Sequence, residues 1–229
     1  MKPSFIWFDL GYTLLYKKRE EAYANALKEM GFEVPPDALE RAFHLTDKVF
    51  MREYQDVFGH DLETFMPWFL GLLNFRLGLR VDLGDAWTRM KAQYQTIPDY
   101  WRPFENAAGA LEGLRRAGVR LGIISNWDLT ARPILRRFGL EGFFERIVIS
   151  SEVGLEKPAP EIFKLAMGQA GVSAAESLYV GDNYYVDAVG ARQVGMDCLI
   201  VNRFGSLGVE ELQGQTLIHD VSEVADRLG

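Results

Sequence analysis

The sequence predicts an α/β fold, a doubly wound parallel sheet interrupted by an inserted α-helical bundle. Three observations carry this expectation. Residues 4–8 form a continuous apolar run, the pattern of a parallel strand covered on both faces. From about Lys17 to Tyr100 no comparable run appears, and the apolar residues recur at helical spacing. After Arg102-Pro103, short apolar strands alternate with helices, the repeat that builds a parallel sheet. The first strand belongs with those that follow the helical block, so the block is an insertion. The expected boundaries are 1–15 and 102–229 for the α/β core and 16–101 for the helical insertion.

The elements follow in order. Phe5-Ile6-Trp7-Phe8 is the first strand, ending at Asp9. Glu20 to Met30 reads as a helix closed by Gly31. Pro36 sits where a first helical turn accepts it, and Leu39, Phe43, Phe50, Tyr54 and Val57 then keep helical register. Asp61 to Leu77 and Gly84 to Tyr94 supply two more helices, with Pro67 a candidate kink in the first. Beyond Pro103, a helix marked by Ala108, Leu111 and Leu114 ends at Gly118, and a strand from Val119 to Ile124 follows. A helix containing Ile134, Leu135 and Phe138 precedes the strand Arg146 to Ile149. Phe163, Ala166, Met167 and Ala170 mark the next helix, which leads to the strand Leu178-Tyr179-Val180. One more helix leads to the strand Cys198 to Val201, and Leu217-Ile218 and a terminal helix from Val221 close the chain. There is no internal repeat or low-complexity segment.

Composition narrows the function classes. At 229 residues the chain can bury a substantial core. A net charge of −7 gives no footing for non-specific binding to nucleic acid or an anionic membrane. An anionic small molecule would therefore need a local positive site. The single cysteine, Cys198, rules out a disulfide framework and a CxxC metal site, which suits a reducing cytoplasm, and its apolar surroundings suggest a small packed side chain. No signal peptide is expected, and the apolar stretch Met66 to Phe75 is too short to span a bilayer. His44, His60 and His219 lie outside every motif, which argues against a histidine triad or zinc site. No residue pattern specifies an oligomeric state.

Four polar sites fall just after four expected strands: Asp9, Ser125-Asn126, Lys157, and Asp182 with Asp187. In a parallel sheet these ends share one edge, where such folds place their chemistry. Each has a plain alternative: Ser125-Asn126 a turn, Lys157 a solvated loop charge, Asp182 and Asp187 helix caps. Asp128 is read as a helix cap. Together the set is coherent for attack on phosphorus. A carboxylate nucleophile repels a phosphate dianion, so a divalent cation must bridge them, and Asp9 with Asp182 offers the hard oxygen ligands Mg²⁺ prefers. The Gly11 carbonyl is a further candidate ligand. Lys157 would neutralise charge, the Ser125 hydroxyl and Asn126 backbone N–H would bind phosphoryl oxygens, and Asp187 would orient Lys157 and the metal's surroundings.

These residues resemble the haloacid dehalogenase superfamily of hydrolases, most of whose members are Mg²⁺-dependent phosphatases. Asp9-Leu10-Gly11-Tyr12-Thr13 resembles the first motif and Ile123-Ile124-Ser125-Asn126 the second. Lys157-Pro158-Ala159-Pro160 with Ile162-Phe163 resembles the third, and Gly181-Asp182 through Asp187, then Gly190-Ala191, the fourth. The helical block is similar to the family's cap. The resemblance implies a Rossmann-like sheet of order 5-4-1-2-3 with Asp9 as covalent nucleophile. It further implies a site of Asp9, Ser125, Asn126 and Lys157, with Asp9, Gly11, Asp182 and Asp187 around Mg²⁺, acting on a small phosphorylated or otherwise anionic substrate. A dinucleotide site is not expected, because no GxGxxG follows the first strand.

The chain departs from the phosphatase pattern at Gly11, where that branch carries an aspartate acting as general acid and base. Loss of that group is worth about 10² to 10⁴ in rate. The expectation is turnover weakened or restricted to acyl and aryl phosphates, whose leaving groups depart as stable anions. Three alternatives compete. A dehalogenase needs no acid for halide departure, but works without metal and lacks the acidic fourth motif. A phosphonate-cleaving enzyme keeps the metal and adds a cap lysine; Lys17, Lys18, Lys28, Lys48 and Lys91 are available, with no motif selecting one. A weakly catalytic binder of a ligand or partner has no need of the retained nucleophile. Of the nearby aromatics Trp7, Tyr12, Trp127, Tyr184 and Tyr185, Trp127 is the leading candidate for substrate contact, with hinges expected near Tyr16 and Trp101 to Pro103.

Overall fold

The computed structural model describes residues 2–55, 57, 61–97 and 100–228. His60 lies outside the described residues. The chain divides into two compact units, Met1–Tyr16 with Pro103–Gly229, and Lys17–Arg102. In chain order the elements begin with β1 (Phe5–Phe8), β2 (Leu15–Lys17), α1 (Arg19–Glu29), α2 (Pro36–Glu53), α3 (Leu62–Leu77), α4 (Leu83–Thr96) and β3 (Trp101–Pro103). They continue with α5 (Ala107–Arg116), β4 (Arg120–Ser125), α6 (Ala131–Arg137), β5 (Arg146–Ile149), α7 (Ser150–Val153) and α8 (Pro160–Ala170). The last are β6 (Ser177–Gly181), a π-turn (Tyr184–Ala188), α9 (Val189–Gln193), β7 (Asp197–Val201), β8 (Thr216–Ile218) and a 3₁₀ segment (Val221–Arg227).

The α/β unit is built on a parallel sheet of order β5-β4-β1-β6-β7-β8. Read from the β7 side, this is the expected 5-4-1-2-3 order, with β8 added at the edge. β1 lies at the centre and every one of its side chains is fully buried, as its unbroken apolar run requires. Gly122 stands beside Trp7 in the β1–β4 register, and the Trp7 ring stacks on Phe5 at 4.3 Å between centroids. A Cβ at residue 122 would lie 2.5 Å from Trp7 Cζ3 and 2.7 Å from Phe5 Cε1. Glycine in this central strand therefore makes room for the stacked aromatic pair. Ile124, Val148, Phe163, Tyr179 and Met196 complete the same core.

The helical unit buries its own core around Tyr23, Phe43, Phe50, Phe69, Leu73 and Trp87. Several of its internal polar groups are paired, as burial demands. Tyr23 Oη donates to Asn74 Oδ1 (2.9 Å), and the Asn74 amide donates to the Leu70 carbonyl (2.7 Å). The Arg19 guanidinium pairs with both oxygens of Asp47 and lies 4.7 Å from the Phe43 ring centroid. Asp61 and Asp82 cap α3 and α4 by accepting from Glu63 and Asp85 backbone N–H groups, and Gly78 ends α3 at φ 67°.

The differences from the sequence expectation are local. α2 ends at Glu53, so Tyr54 and Val57 lie in a turn beyond it, although Val57 still packs on the helical core. Pro67 is accommodated inside α3. β2 and β3, three residues each, pair with one another. The final helix is a 3₁₀ segment, capped by Asp220 through the Ser222 backbone N–H at 2.8 Å. Among the described residues, no helix is long and apolar enough to cross a membrane.

Candidate active site

The sheet's carboxyl edge gathers polar side chains that its interior excludes. Asp9 follows β1, anchored by its N–H donating to Val180 O on β6 (2.9 Å). The chain then turns on bonds from Tyr12 N–H to Leu15 O (2.6 Å) and from Leu15 N–H to Leu10 O (2.8 Å). These bonds leave the Gly11 carbonyl out of the turn's own network. Tyr12 adopts φ 51°, an uncommon conformation for a residue with a Cβ and one that recurs at functional turns. Ser125 is the last residue of β4, the neighbouring strand. Its hydroxyl is fully buried with no hydrogen-bond partner among the described residues, and so is that of Thr13. Such orphaned hydroxyls are rare in interiors and call for an explanation.

Lys157 sits at the centre of the site. It is 5% exposed, and its ammonium donates to Asp187 Oδ1 (2.6 Å), Asp9 Oδ1 (2.8 Å) and Tyr179 Oη (2.8 Å). Burial alone would push its pKa down, but the carboxylates of Asp187 and Asp9 outweigh that and hold it above the ordinary lysine value. Burial, and next the charge of Asp9, push Asp187 up, opposed by Lys157. Burial beside Asp187 and Asp9 also raises Tyr179, which stays a neutral phenol.

The backbone under Lys157 is clamped by a side chain. Asn126 Nδ2 donates to Lys157 O (2.9 Å), and Lys157 N–H donates to Asn126 Oδ1 (2.8 Å). This pair spans 31 residues of sequence. Gly190 lets α9 approach from the other side, because a Cβ there would meet Phe163 Cε2 at 2.5 Å and Pro158 O at 3.0 Å.

Asp182 follows β6, and Asp187 lies in the π-turn beyond it. It is Asn183 whose side chain caps that turn, accepting from Tyr185 N–H (3.2 Å), while Asp187 Oδ2 accepts from Asn183 N–H (3.0 Å). The Asp187 carboxylate packs directly over Gly181, in space a Cβ would fill. The π-turn is an irregularity common at functional sites, and it holds Asp187 against both Asn183 and Lys157. Asp9, Asp182 and Asp187 are all buried, with one oxygen of each lying within 4.8 Å of the others.

All the expected site residues thus lie at or beside one sheet edge. Tyr179, inside a fully buried strand, was missed. Its signal was a lone hydroxyl in an apolar run, a group that must find a partner when buried. Asp128 accepts from Thr130 N–H (2.8 Å), forming a turn just ahead of α6 rather than its terminal cap. Trp127 is half-buried with its indole N–H on Thr130 Oγ1 (3.0 Å), whereas Trp7 is core. Cys198 is partly buried with its thiol pushed well up by burial, as befits an inert packed side chain.

Known proteins resemble this chain in sequence and fold. The family model for haloacid dehalogenase-like hydrolases matches residues 6–201. The chain is 32% identical over 204 residues to haloacid dehalogenase-like hydrolase domain-containing protein 3 of Homo sapiens, covering 85% of this chain and 80% of that protein. It is 33% identical over 194 residues to the glyceraldehyde 3-phosphate phosphatase of Pyrococcus abyssi, covering 83% of this chain and 78% of that protein. Among solved structures, a phosphatase from Thermococcus onnurineus superposes with a TM-score of 0.61 at 24% identity, covering 100% of this chain and 98% of the other, a likeness of fold.

Proposed function

Since the chain belongs to the haloacid dehalogenase-like hydrolase family, we propose that it is a Mg²⁺-dependent phosphatase acting through an aspartyl-phosphate on Asp9. One observation carries this reading: three buried carboxylates, Asp9, Asp182 and Asp187, lie close to one another, and two of them, Asp9 and Asp187, pair with the buried ammonium of Lys157. With all groups ionised the cluster bears two negative charges in excess, a balance a divalent cation would neutralise and a buried site would otherwise resist. The donors are hard oxygens, which suits Mg²⁺. Asp9, Asp182 and the Gly11 carbonyl would hold it. Asp187, with both oxygens engaged, would orient its neighbours instead. When bound, Mg²⁺ would relieve the repulsion between Asp9 and a phosphate dianion.

In this reading the Asp9 carboxylate attacks phosphorus, and the bond from phosphorus to the leaving oxygen breaks with its electron pair departing on that oxygen. Water then attacks the aspartyl-phosphate, releasing phosphate and restoring Asp9. The buried hydroxyl of Ser125, with the Asn126 N–H, would donate to the phosphoryl oxygens as charge builds there. Lys157 spends all three N–H bonds inside the protein, so its part is to fix and balance Asp9 rather than to reach first for the substrate. Gly11 supplies no proton to the leaving oxygen and no base for the water. Acyl and aryl phosphates should therefore turn over faster than alkyl phosphates.

The relatives' names support a small phosphorylated metabolite as substrate, and we assign its selection to the inserted helical unit, acting as a cap. The lone cysteine favours the cytoplasm. Incubation with acetyl phosphate and Mg²⁺ followed by intact-mass analysis tests the chemistry. A phosphoryl adduct is expected, absent in Asp9→Asn and absent with EDTA. The absence of both adduct and hydrolysis would sink the proposal. A panel of phosphomonoesters, acyl phosphates, 2-haloacids and phosphonoacetaldehyde separates the competing reactions. Halide release that survives EDTA would replace this reading with dehalogenation, and silence across the panel with simple binding.

A further inference from the structure

We propose that Tyr179 is a positioning residue that locks the Lys157 ammonium between Asp9 and Asp187. An ammonium has three N–H bonds at fixed tetrahedral angles. Two go to carboxylates; the third meets Tyr179 Oη at 2.8 Å. What makes Tyr179 an obligate acceptor is the fate of its own proton. Its hydroxyl donates to the Ile124 carbonyl at 2.6 Å, so its lone pairs face Lys157. Ile124 immediately precedes Ser125, and the phenol thereby ties the lysine to the strand that carries the orphaned serine hydroxyl. Phe163 packs edge-on to the Tyr179 ring at 5.4 Å between centroids, and the side chain is fully buried, so it has no freedom to turn away.

Without this third contact the ammonium would tilt toward Asp187, its shorter partner, and loosen on Asp9. The consequence falls on the nucleophile's orientation, not on substrate affinity. The kinetic part of this inference rests on the phosphatase reading; the structural part does not.

Tyr179→Phe keeps the ring and removes the acceptor. In protein labelled with ¹⁵N-lysine, the Lys157 Nζ–H resonance, assigned by its loss in Lys157→Arg, should exchange slowly in the wild type. Its exchange should quicken at least about tenfold in Tyr179→Phe, the equivalent of one buried hydrogen bond. The value of kcat for an aryl phosphate should fall at least about fivefold while KM stays within about twofold, the pattern of an interaction that acts on the transition state. Tyr23→Phe is the control, removing a buried hydroxyl in the helical unit, and should change neither quantity. If Tyr179→Phe behaves like Tyr23→Phe on both measures, the positioning role is wrong and Tyr179 is packing alone. A wild-type enzyme silent on every phosphate would sink the phosphatase reading, yet the exchange rates would still decide the role of Tyr179. Should Tyr179→Phe not fold, the wild type alone gives the answer: no nuclear Overhauser effect between the Tyr179 hydroxyl proton and Lys157 Hζ would overturn the inference.

Discussion

Gly11 is not a glycine for the backbone's sake. It is absent from the positive-φ positions, whereas its neighbour Tyr12, which does have a Cβ, adopts φ 51°. An aspartate at position 11 therefore meets no conformational barrier of the kind that would oppose one at Gly78 or Gly154. On the proposed reading, the absence of an acid at position 11 is then not forced by a positive φ. Restoring a general acid and base is typically worth about 10² to 10⁴ in rate. Gly11→Asp should raise aryl-phosphate hydrolysis at least about tenfold, and alkyl-phosphate hydrolysis by more, in steady-state assays with Mg²⁺. An unchanged rate for both would mean that water or another group already performs the proton transfers. At this scale the sequence made legible the polar residues that follow or end the strands, Asp9, Ser125 and Asp182, while Lys157 comes only after the short α7 beyond β5. The sequence was not legible where the partner lies elsewhere in the chain. Nothing near Asn126 shows that its amide will clamp the Lys157 backbone, and nothing near Tyr179 says where its hydroxyl goes.

The sheet's strands were legible because burial on both faces leaves an unbroken apolar run, which is a signal independent of partners. What escaped were β2 and β3, too short to show any period, and the π-turn, whose shape is set by Asp187 reaching both Asn183 and Lys157. The expected strand at Val119 begins one residue later and runs on to Ser125, because residue 125 still has a pairing partner in Ile149. Within this framework the glycines mark where elements must approach closely. Gly122 is the case within the core of the sheet, since a methyl group there would lie 2.5 Å from Trp7. The Trp7 ring is fully buried and stacked on Phe5, so the strain has no cheap outlet. Overpacking of this kind costs about 1–3 kcal/mol. For a chain of this length that is roughly a 2–12 °C loss in Tm, which differential scanning calorimetry of Gly122→Ala would read. The per-molecule activity of the folded variant should be preserved, since Gly122 precedes Ser125 on the strand by half its length. A variant as stable as the wild type would show that the β1–β4 pair can spread to admit the methyl group.

At the scale of the whole molecule, two separate cores explain why an insertion of this size is tolerated after β1: the helical unit buries an apolar core of its own and pairs Tyr23 with Asn74 inside it. Charge is the property the two units share, and it opposes the proposed substrate. The chain carries a net −7, so a phosphate monoester approaches against a repulsive field. Inside the proposed site the balance would differ, because Lys157 and Mg²⁺, once bound, would act over a few ångströms in a buried environment. The two effects respond differently to salt. Long-range repulsion reaches about 30 Å at 0.01 M ionic strength but only about 8 Å at 0.15 M, while buried short-range pairs are screened much less. Repulsion should therefore be lost first. With Mg²⁺ held saturating, kcat/KM for an anionic aryl phosphate should rise about two- to fivefold between those ionic strengths. The gain should appear in KM with kcat steady, because salt alters the approach and leaves Asp9, Lys157 and Ser125 as they are. A fall in kcat/KM over the same range would mean that a positive field around the site, not the net charge of the chain, governs how substrate arrives.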